Sequence, residues 1–256
     1  MCGRYASASG RPELLEAFGA EDHTGDGPIE PDWNVAPTKP VPAVLVRRPR
    51  DQGTGARRQL RVLRWGLVPS WAKDPSIGSR LINARVETLA DKPAFRSAVS
   101  RRRCLLPADG YYEWYSARPL AGSPGGKGRP SKQPFFLSRR DGGLLVMAGL
   151  YEVWADAEGR RLWTAAVVTG DAVDELGHIH DRSPVLVDDA DRWLDPSVTD
   201  AEAVLPLLRT ARPGELRAWA VSTEVNSVAN NGPQLLAPLP AQDVPPPVDL
   251  DAPGLF

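Results

Sequence analysis

Residues 103–114 read Arg-Cys-Leu-Leu-Pro-Ala-Asp-Gly-Tyr-Tyr-Glu-Trp. This stretch contains an apolar run, Cys104–Leu106, and all but the last residue of an aromatic run, Tyr111–Tyr115, separated by Pro-Ala-Asp-Gly. Runs of this kind, rich in Val, Leu, Tyr and Trp and bounded by Gly, Pro or Asp, are typical of β-strands. Six further runs share the pattern: Val41–Val46, Leu60–Trp65, Phe135–Ser138, Leu144–Tyr151, Leu162–Thr169 and Arg217–Val221.

Helices are fewer than strands. Residues 11–19 predict a short amphipathic helix, with a proline near its start and Gly19 at its end. Further helices are expected at residues 91–100, 171–177 and 200–210. Strands and helices do not alternate in the order that builds parallel sheets. The sequence therefore predicts an α+β fold with a largely antiparallel core.

Polar or Gly/Pro-rich segments separate these elements. Loops are expected at residues 50–59 and 116–133, and the second of these is predicted to be a mobile excursion of a hairpin. We expect one domain over residues 1–233. Residues 234–256 form a Pro-rich tail that is expected to be disordered because it has little apolar surface to bury.

The composition of the chain excludes several classes of protein. The 256 residues are 42% hydrophobic and carry a net charge of −1. No apolar run approaches the roughly 20 residues needed to cross a membrane, and the start does not resemble a secretory signal. Two cysteines cannot form a disulfide framework, so a cytoplasmic protein is expected. Three histidines without a CxxC or HExxH motif indicate no metal site, and no cofactor is expected.

The basic residues are unevenly divided, since only 5 of the 31 are lysines. Arginine is suited to bidentate contact with phosphate. GC-rich coding produces the same bias, and composition does not decide between the two explanations.

Cys2 follows the initiator methionine. Initiator methionine is usually removed before a small residue, which would leave Cys2 with a free amine and a thiol. Their ordinary pKa values are about 8 and about 8.5, so modest tuning makes both nucleophilic near neutral pH. Such an aminothiol condenses with an aldehyde and closes a five-membered thiazolidine ring. It also serves as nucleophile and base in one residue. Alternatively, the Met-Cys start is incidental.

Asn83, Arg85 and Glu87 would share one face of an extended segment. The amide of Asn83 has a donor and an acceptor that can orient an N-terminal amine, and Arg85 can clamp a phosphate. The alternative is a solvated edge strand.

Glu113 lies among four aromatic residues and is therefore expected to be desolvated, which raises a carboxyl pKa and suits general acid catalysis. Glu152 lies in a similar segment, Gly149-Leu150-Tyr151-Glu152-Val153-Trp154, and is a rival for the same role. Both can also be exposed glutamates on aromatic strands, and the sequence does not separate them.

His180 is a candidate acid or base, with Asp181 and Arg182 next to it. The His178-x-His180 pair lacks a third metal ligand, and a structural role is the alternative. Cys104 lies in an apolar strand and is expected to be a buried core thiol.

Trp65 and Trp71 flank a Gly/Pro bend. In a pocket such residues stack on bases; in a core they fill volume.

Eight motifs occur in a fixed order along the chain. They are residues 1–4 (Met-Cys-Gly-Arg), 33–38 (Trp-Asn-Val-Ala-Pro-Thr), 65–71 (Trp-Gly-Leu-Val-Pro-Ser-Trp), 83–88 (Asn-Ala-Arg-Val-Glu-Thr), 103–114 as quoted above, 133–135 (Gln-Pro-Phe), 148–152 (Ala-Gly-Leu-Tyr-Glu) and 180–184 (His-Asp-Arg-Ser-Pro). This series resembles the SRAP family, the SOS response-associated peptidase-like or abasic-site processing proteins, over residues 1–233.

The resemblance implies a single domain around a β-barrel-like core, with a groove for single-stranded DNA. It also implies a monomer that senses abasic sites in single strands. Such a protein forms a covalent thiazolidine crosslink after removal of Met1, with autopeptidase and abasic-site lyase activities. DNA binding would place it at the nucleoid. Matching the motifs assigns catalytic roles to Cys2, Asn83, Glu113 and His180, phosphate contacts to Arg4, Arg85 and Arg182, and a groove-lining aromatic role to Trp65.

Ser183 departs from the family pattern, in which methionine or arginine is common. An alternative function is an N-terminal-nucleophile peptidase or amidase that acts beyond removal of Met1. A second is a non-catalytic single-strand-binding module. A binding module does not need reactive side chains such as Cys2, Asn83, Glu113 and His180, which argues against this second alternative.

Overall fold

The computed structural model describes residues 2–25, 29–47, 55–117, 131–172 and 179–244. The strands are β1 (Tyr5–Ser7), β2 (Glu21–Asp22), β3 (Asp32–Val35), β4 (Pro40–Arg47), β5 (Arg57–Trp65), β6 (Asn83–Arg85), β7 (Arg103–Ala108), β8 (Gly110–Ala117), β9 (Ser131–Arg139), β10 (Leu145–Ala155), β11 (Arg161–Asp171), β12 (Arg182–Pro184), β13 (Leu186–Val187), β14 (Leu208–Arg209) and β15 (Leu216–Ala220). The α-helices are α1 (Arg11–Phe18), α2 (Arg96–Arg101), α3 (Ala190–Leu194) and α4 (Ala201–Val204). Within the described residues, six short 3-10 helices span Pro75–Arg80, Val86–Thr88, Leu205–Leu207, Thr223–Asn226, Pro233–Leu236 and Ala241–Asp243.

Five strands form a small closed barrel. β5, β4, β7, β10 and β11 pair antiparallel in this order, and β11 closes the barrel by pairing parallel with β5 at Ala165 and Trp65. Closure leaves no free strand edge in this part of the molecule. Alternate residues of each strand fill the interior, among them Leu45, Leu63, Cys104, Met147 and Val167.

The outward-facing residues of the same strands form a second cluster beneath the helices. Leu14 of α1 and Trp193 of α3 are fully buried there against barrel residues such as Leu60 and Leu105. Residues three or four apart share one face of a helix, and alternate residues share one face of a strand. The apolar faces of the helices therefore pack against the outward apolar faces of the barrel strands. The helices therefore close the outside of the barrel.

A second, five-stranded antiparallel sheet runs in the order β15-β9-β8-β1-β3. β1 pairs with β8 through Tyr5 and Tyr111, which sets the start of the chain against the aromatic strand that carries Glu113. The short strand β6 lies on the barrel, because Asn83 pairs parallel with Val167 of β11. These two pairings bring distant motifs to one end of the barrel.

The predicted fold class is confirmed, and each of the eight predicted strands is present. Helix α1 is also confirmed. It ends where Gly19 adopts a left-handed conformation with φ of 54°, which glycine enters at low cost.

The other helix predictions were too long. Of residues 91–100, only 96–100 are α-helical, in a helix that ends at Arg101. In residues 200–210 the helix stops at Val204 and a 3-10 turn follows, because Pro206 lacks the N–H that the next helical hydrogen bond needs. Most of the helix predicted at residues 171–177 lies outside the described residues, and Asp171 itself ends β11.

The predicted loops are shorter than expected. Arg57–Gln59 already belong to β5, while residues 48–54 lie outside the described residues. β8 and β9 pair as far as Ala117 and Ser131, so residues 116–133 do belong to a hairpin. Residues 118–130, and with them the predicted mobility, lie outside the described part.

The tail does not detach at residue 234. Leu235 is fully buried, and the Leu239 N–H donates to the Ala220 carbonyl at 2.8 Å. Residues 233–239 therefore pack on β15, while residues 245–256 lie outside the described residues. The domain boundary itself stays a prediction. Among the described residues, no helix is long and apolar enough to cross a membrane.

Candidate active site

Cys2 lies three residues before β1 and has no exposed surface. The Asn83 side-chain N–H donates to the Cys2 carbonyl at 2.7 Å, and β6 holds Asn83 in register with β11. The other amide atom, Asn83 Oδ1, is buried and has no hydrogen-bond partner within the described residues. Asn83 thus fixes the Cys2 backbone and retains one unused acceptor beside it, which fits the predicted orienting role.

Glu113 lies on β8 opposite Phe135 and is 3% exposed. Burial raises the pKa of its carboxyl to about 7, although the positive charge of the N-terminal amine opposes the rise. The predicted desolvation is confirmed. Near neutral pH the carboxyl is therefore divided between its protonated and ionised forms, as a group that both gives and takes protons requires.

The Cys2 thiol shares this environment. Burial raises its pKa well above the ordinary range, and the negative charge of Glu113 raises it further. The effect of the Glu113 charge on the Cys2 thiol indicates that the two groups are close. A thiol held in this way is protonated at neutral pH, so it needs an acceptor for its proton before it can attack.

His180 is half-buried, and burial lowers its pKa, with the nearby positive N-terminal amine acting in the same direction. The Arg182 backbone N–H donates to Nδ1 at 3.0 Å, while Asp181 Oδ1 lies 2.8 Å from the same nitrogen. Nδ1 cannot accept from one and donate to the other at once. The backbone donor is fixed and the Asp181 side chain is 86% exposed, so we assign the neutral ring with its proton on Nε2.

Arg85 and Arg182 lie together at the end of β11, where they pair with Thr169 and Asp171. Arg85 is exposed and suits phosphate contact. Arg182 is engaged by the carboxylates of Glu87, at 2.8 and 3.0 Å, and Asp171, at 2.6 Å. A phosphate would have to displace these carboxylates to reach Arg182.

Arg4 is half-buried beside the second sheet. Its guanidinium donates to Asn34 Oδ1 at 2.6 Å and to the Val225 carbonyl at 2.7 Å, and it lies 5.7 Å from the centre of the Trp114 ring. Asn34 is fully buried and was not among the predicted site residues. These contacts of the Arg4 guanidinium are all with other residues of the chain, and its contact with a phosphate stays a prediction.

Trp65 does not offer a face to a base, because it has no exposed surface. Its ring N–H donates to the Ile82 carbonyl at 2.9 Å, and Tyr5 packs edge-on against it at 5.0 Å between ring centres. The expected stacking role is corrected to a packing role next to Asn83. Of the two tryptophans in this motif, Trp71 is the exposed one, at 60%.

Glu152 differs from Glu113 in that an arginine binds its carboxylate. The Arg102 guanidinium donates to Glu152 Oε2 at 2.7 Å, and the Val153 N–H donates to Oε1 at 2.9 Å. Glu152 is therefore a structural ion-pair residue, away from the Cys2 site.

Tyr5 is a neighbour that the sequence did not single out. It is fully buried, and its hydroxyl has no hydrogen-bond partner in the described part of the chain. Burial raises the pKa of its hydroxyl, and the nearby Cys2 raises it further. Its place directly after Met-Cys-Gly-Arg was the available signal. Cys104 is buried, as predicted. The described residues hold no group of three His, Cys, Asp or Glu side chains placed to bind a metal.

Comparison with known proteins agrees with this arrangement. The family model described as SOS response associated peptidase (SRAP) matches residues 1–228. The chain is 36% identical over 238 residues to the abasic site processing protein YoqW of Bacillus subtilis (strain 168), covering 92% of this chain and 99% of that protein. It is 31% identical to the abasic site processing protein HMCES of Gallus gallus, covering 93% of this chain and 78% of that protein.

A solved structure of a Bacteroides thetaiotaomicron protein has the same fold. It superposes with a TM-score of 0.74 at 21% identity, covering 93% of this chain and all of the other. A phage-related protein from Bordetella bronchiseptica superposes with a TM-score of 0.60 at 28% identity, covering 86% of this chain and 94% of that one. The chain belongs to the SOS response associated peptidase (SRAP) family.

Proposed function

We propose that this protein captures abasic sites in single-stranded DNA by forming a thiazolidine with Cys2 after removal of Met1. The observation that carries the proposal is the convergence of three groups: Cys2, its Asn83 partner at 2.7 Å, and Glu113 with a pKa of about 7. The relatives named abasic site processing proteins support the same reaction.

The first step opens the sugar. An abasic deoxyribose is mostly a closed hemiacetal, and only its open form has an aldehyde at C1′. Glu113 is partly protonated at neutral pH, so it can give its proton to the ring oxygen and, as the carboxylate, take the proton of the C1′ hydroxyl. His180, with its proton on Nε2, is the group proposed to support the sugar hydroxyl that is released.

The second step joins protein and DNA. The neutral Cys2 amine adds to C1′, and loss of one water gives an imine. The thiol then adds across the C=N bond, its proton moving to the nitrogen through the Glu113 carboxylate, and the five-membered ring closes. One water is lost overall, and nothing is oxidised or reduced. Ring closure protects the strand, because an open imine promotes β-elimination and cleavage.

Removal of Met1 must come before capture, because the nitrogen of Cys2 is otherwise part of a peptide bond. We propose that the chain hydrolyses this bond itself, with Cys2 as nucleophile and Glu113 as base. Abasic-site lyase activity would arise when the imine eliminates before the ring closes. Asn83 would limit that loss by holding the Cys2 backbone in place.

Contacts to phosphate and base would place the strand over this site. Arg85 is exposed at the end of β11, and Trp71 offers an exposed ring on which a base can stack. Arg4 and Arg182 are proposed as further phosphate contacts once their internal partners yield. A stacked duplex hides the sugar, so single-stranded DNA is the proposed substrate. The protein would then act as a monomer at the nucleoid.

The structure offers less support for a peptidase that cleaves other proteins. Cys2 has no exposed surface, and its thiol pKa is raised well above the ordinary range. A protein substrate needs an exposed and activated nucleophile. An abasic sugar is smaller and meets the amine before the thiol.

The test incubates purified protein with a single-stranded oligonucleotide that contains one abasic site and separates the products on a denaturing gel. We expect a heat-stable protein–DNA band. The matched control is the same oligonucleotide after borohydride reduction, which converts the aldehyde to an alcohol and should abolish the band. A band that survives reduction, or no band with the abasic strand, would refute the proposal.

A further inference from the structure

A cavity of about 620 Å³ opens at the end of the barrel where β4 and β10 finish and β7 begins. Its volume falls within the range of small-molecule sites. Three of its lining residues, Arg47, Arg101 and Arg102, are arginines, and Thr199 adds a hydroxyl. None of these residues takes part in the proposed capture at Cys2.

Two aromatic rings lie at this end of the barrel, and one of them, Tyr151, lines the cavity. Tyr151 of β10 stacks on Trp163 of β11, with 5.9 Å between ring centres and 15° between ring planes. The Arg47 and Arg61 guanidinium carbons lie 5.0 and 4.4 Å from the centre of the Trp163 ring. Two cations are thus gathered over one aromatic ring.

Three arginines at this end have no carboxylate partner among the described residues. Neither Arg47 nor Arg61 forms an ion pair with a carboxylate among the described residues, and Arg101 forms none there either. Burial lowers the pKa of Arg61, and the positive charge of Arg47 lowers it further. The two like charges therefore act on each other. Like charges gathered without a carboxylate partner in the described part of the chain favour the binding of an anion.

The nearby carboxylates are engaged elsewhere. Glu152 accepts from Arg102 at 2.7 Å, and Asp195 accepts from the Ser197 hydroxyl at 2.7 Å. Arg102 Nε is buried and has no hydrogen-bond partner among the described residues. Glu152 therefore fixes Arg102 at the wall of the cavity and leaves that donor unused.

The site lies away from Cys2. Along β11, Trp163 precedes Val167, the partner of Asn83, by four residues, which is about 13 Å of strand. Arg85 and Arg182 lie beyond Val167, toward the opposite end of the same strand. A ligand in the cavity would thus be separate from the residues proposed to hold the lesion.

We propose that this end of the barrel is a second phosphate-binding site, which takes the phosphate group of a nucleotide, free or at the end of a nucleic-acid strand. Guanidinium groups pair with phosphate in a bidentate manner, and an adjoining hydroxyl donates a further hydrogen bond. Tyr151 is only 4% exposed, so the ring supports the arginines and the base of the nucleotide remains outside.

The test titrates the full-length protein with dTMP and with inorganic phosphate by calorimetry, in low salt. The double variant Arg47→Gln/Arg101→Gln should weaken dTMP binding by about tenfold to a hundredfold, from the loss of charged hydrogen bonds. Arg96→Gln is the matched control, because Arg96 is an exposed arginine of α2 that does not line the cavity. It should leave dTMP binding within about twofold of wild type, as expected of a surface change.

Since Arg47 packs on Trp163, the single variant Arg101→Gln serves if the double variant unfolds, and it should still weaken binding. A 5′-phosphorylated dT oligonucleotide that binds more tightly than its unphosphorylated form, with the gain lost in the variant, would assign the phosphate to a strand end. Tight dTMP binding without that gain would assign it to a free nucleotide. The proposal fails if wild type binds no phosphate probe, if Arg101→Gln and the double variant bind dTMP like wild type, or if Arg85→Gln alone removes dTMP binding.

Discussion

Glu113 on β8 and Glu152 on β10 each follow a tyrosine and precede a tryptophan by one or two residues, yet their surroundings differ. Both side chains are nearly buried, at 3% and 6% exposure. Glu113 adjoins Cys2, and burial raises its pKa to about 7. Glu152 is bound by Arg102 at 2.7 Å. The same local sequence pattern thus occurs twice, once beside Cys2 and once at the arginine-rich end of the barrel.

The difference teaches that a buried carboxylate is defined by the nearest cation and not by its neighbours in sequence. Without a fixed arginine, desolvation favours the protonated form and makes the group a proton donor. With one, the same residue becomes part of a structural ion pair. The following experiments test whether this division is correct, from the largest expected effect to the smallest.

The largest effect should come from Cys2→Ser. Cys104→Ser is its control, because both cysteines belong to the same buried cluster. Cys2→Ser retains the amine and loses the thiol, so we expect complete loss of the heat-stable crosslink to an abasic strand. Cys104→Ser should retain it, since Cys104 is a buried core thiol on β7. Gel quantification after heating is the measurement. A stable crosslink in Cys2→Ser, or its loss in a folded Cys104→Ser protein, would place the chemistry elsewhere.

The two glutamates come next. Glu113→Gln should slow single-turnover capture by about 100- to 10,000-fold, as for loss of a general acid or base. Glu152→Gln should change the rate far less, because it removes only the partner of Arg102. Rates measured from pH 5 to 9 for both variants, with single-strand affinity as the control, provide the test. If Glu152→Gln is the slower protein, the acid has been assigned to the wrong strand.

Stability should depend on pH through Glu113. Its folded pKa of about 7 exceeds the ordinary value of 4.5, so between these pH values only the folded state keeps the proton. Unfolding free energy should therefore fall as pH rises from about 4.5 through 7, by about 3 kcal/mol in total. Glu113→Gln should abolish this fall.

Glu152→Gln should instead lower stability both at pH 5 and at pH 8, because Arg102 loses its charged partner. Urea unfolding at the two pH values distinguishes the variants. A fall with pH of the same size in Glu113→Gln as in wild type would contradict the assigned pKa.

The smallest effect concerns the exposed arginine at the reactive end. With about three arginine–phosphate contacts, log affinity for an intact single strand should fall with log salt at a slope of roughly −2. Arg85→Ala should make that slope shallower by about 0.7, evenly across base sequences. Arg96→Ala should leave it unchanged, because Arg96 lies on α2 outside the site. A slope unaffected by Arg85→Ala would remove Arg85 from the groove.

Much of the fold could be predicted from the sequence. The strands carry their own signal in short β-branched and aromatic runs, and α1 has its proline and glycine at the correct ends. Helix α4 was predicted too long because apolar periodicity continues past Pro206, where the helix stops. Helix α2 was predicted to begin too early, since residues 91–95 are not helical and the helix starts at Arg96. The barrel closure depends on pairings between residues about 100 apart, which no local pattern contains.

The site divides in a similar way. Cys2, Asn83, Glu113 and His180 were identified as reactive types in ordered motifs, and the structure joins Asn83 to Cys2 and Glu113 to the same environment. The burial of Trp65 was not visible in its motif: the two tryptophans taken alone favoured core packing, whereas the family resemblance implied a groove-lining role. Only the closed barrel decided for packing.

The sequence by itself determined the residue chemistry: a thiol at position 2, an amide at position 83, and two glutamates in aromatic strands. It also determined the strand-rich fold class, because residue size and branching act locally. The tertiary structure alone decided which glutamate meets Cys2, which arginines are paired, and which tryptophan is exposed. Desolvation and charge pairing act through space, over distances at which the order of residues along the chain carries no information.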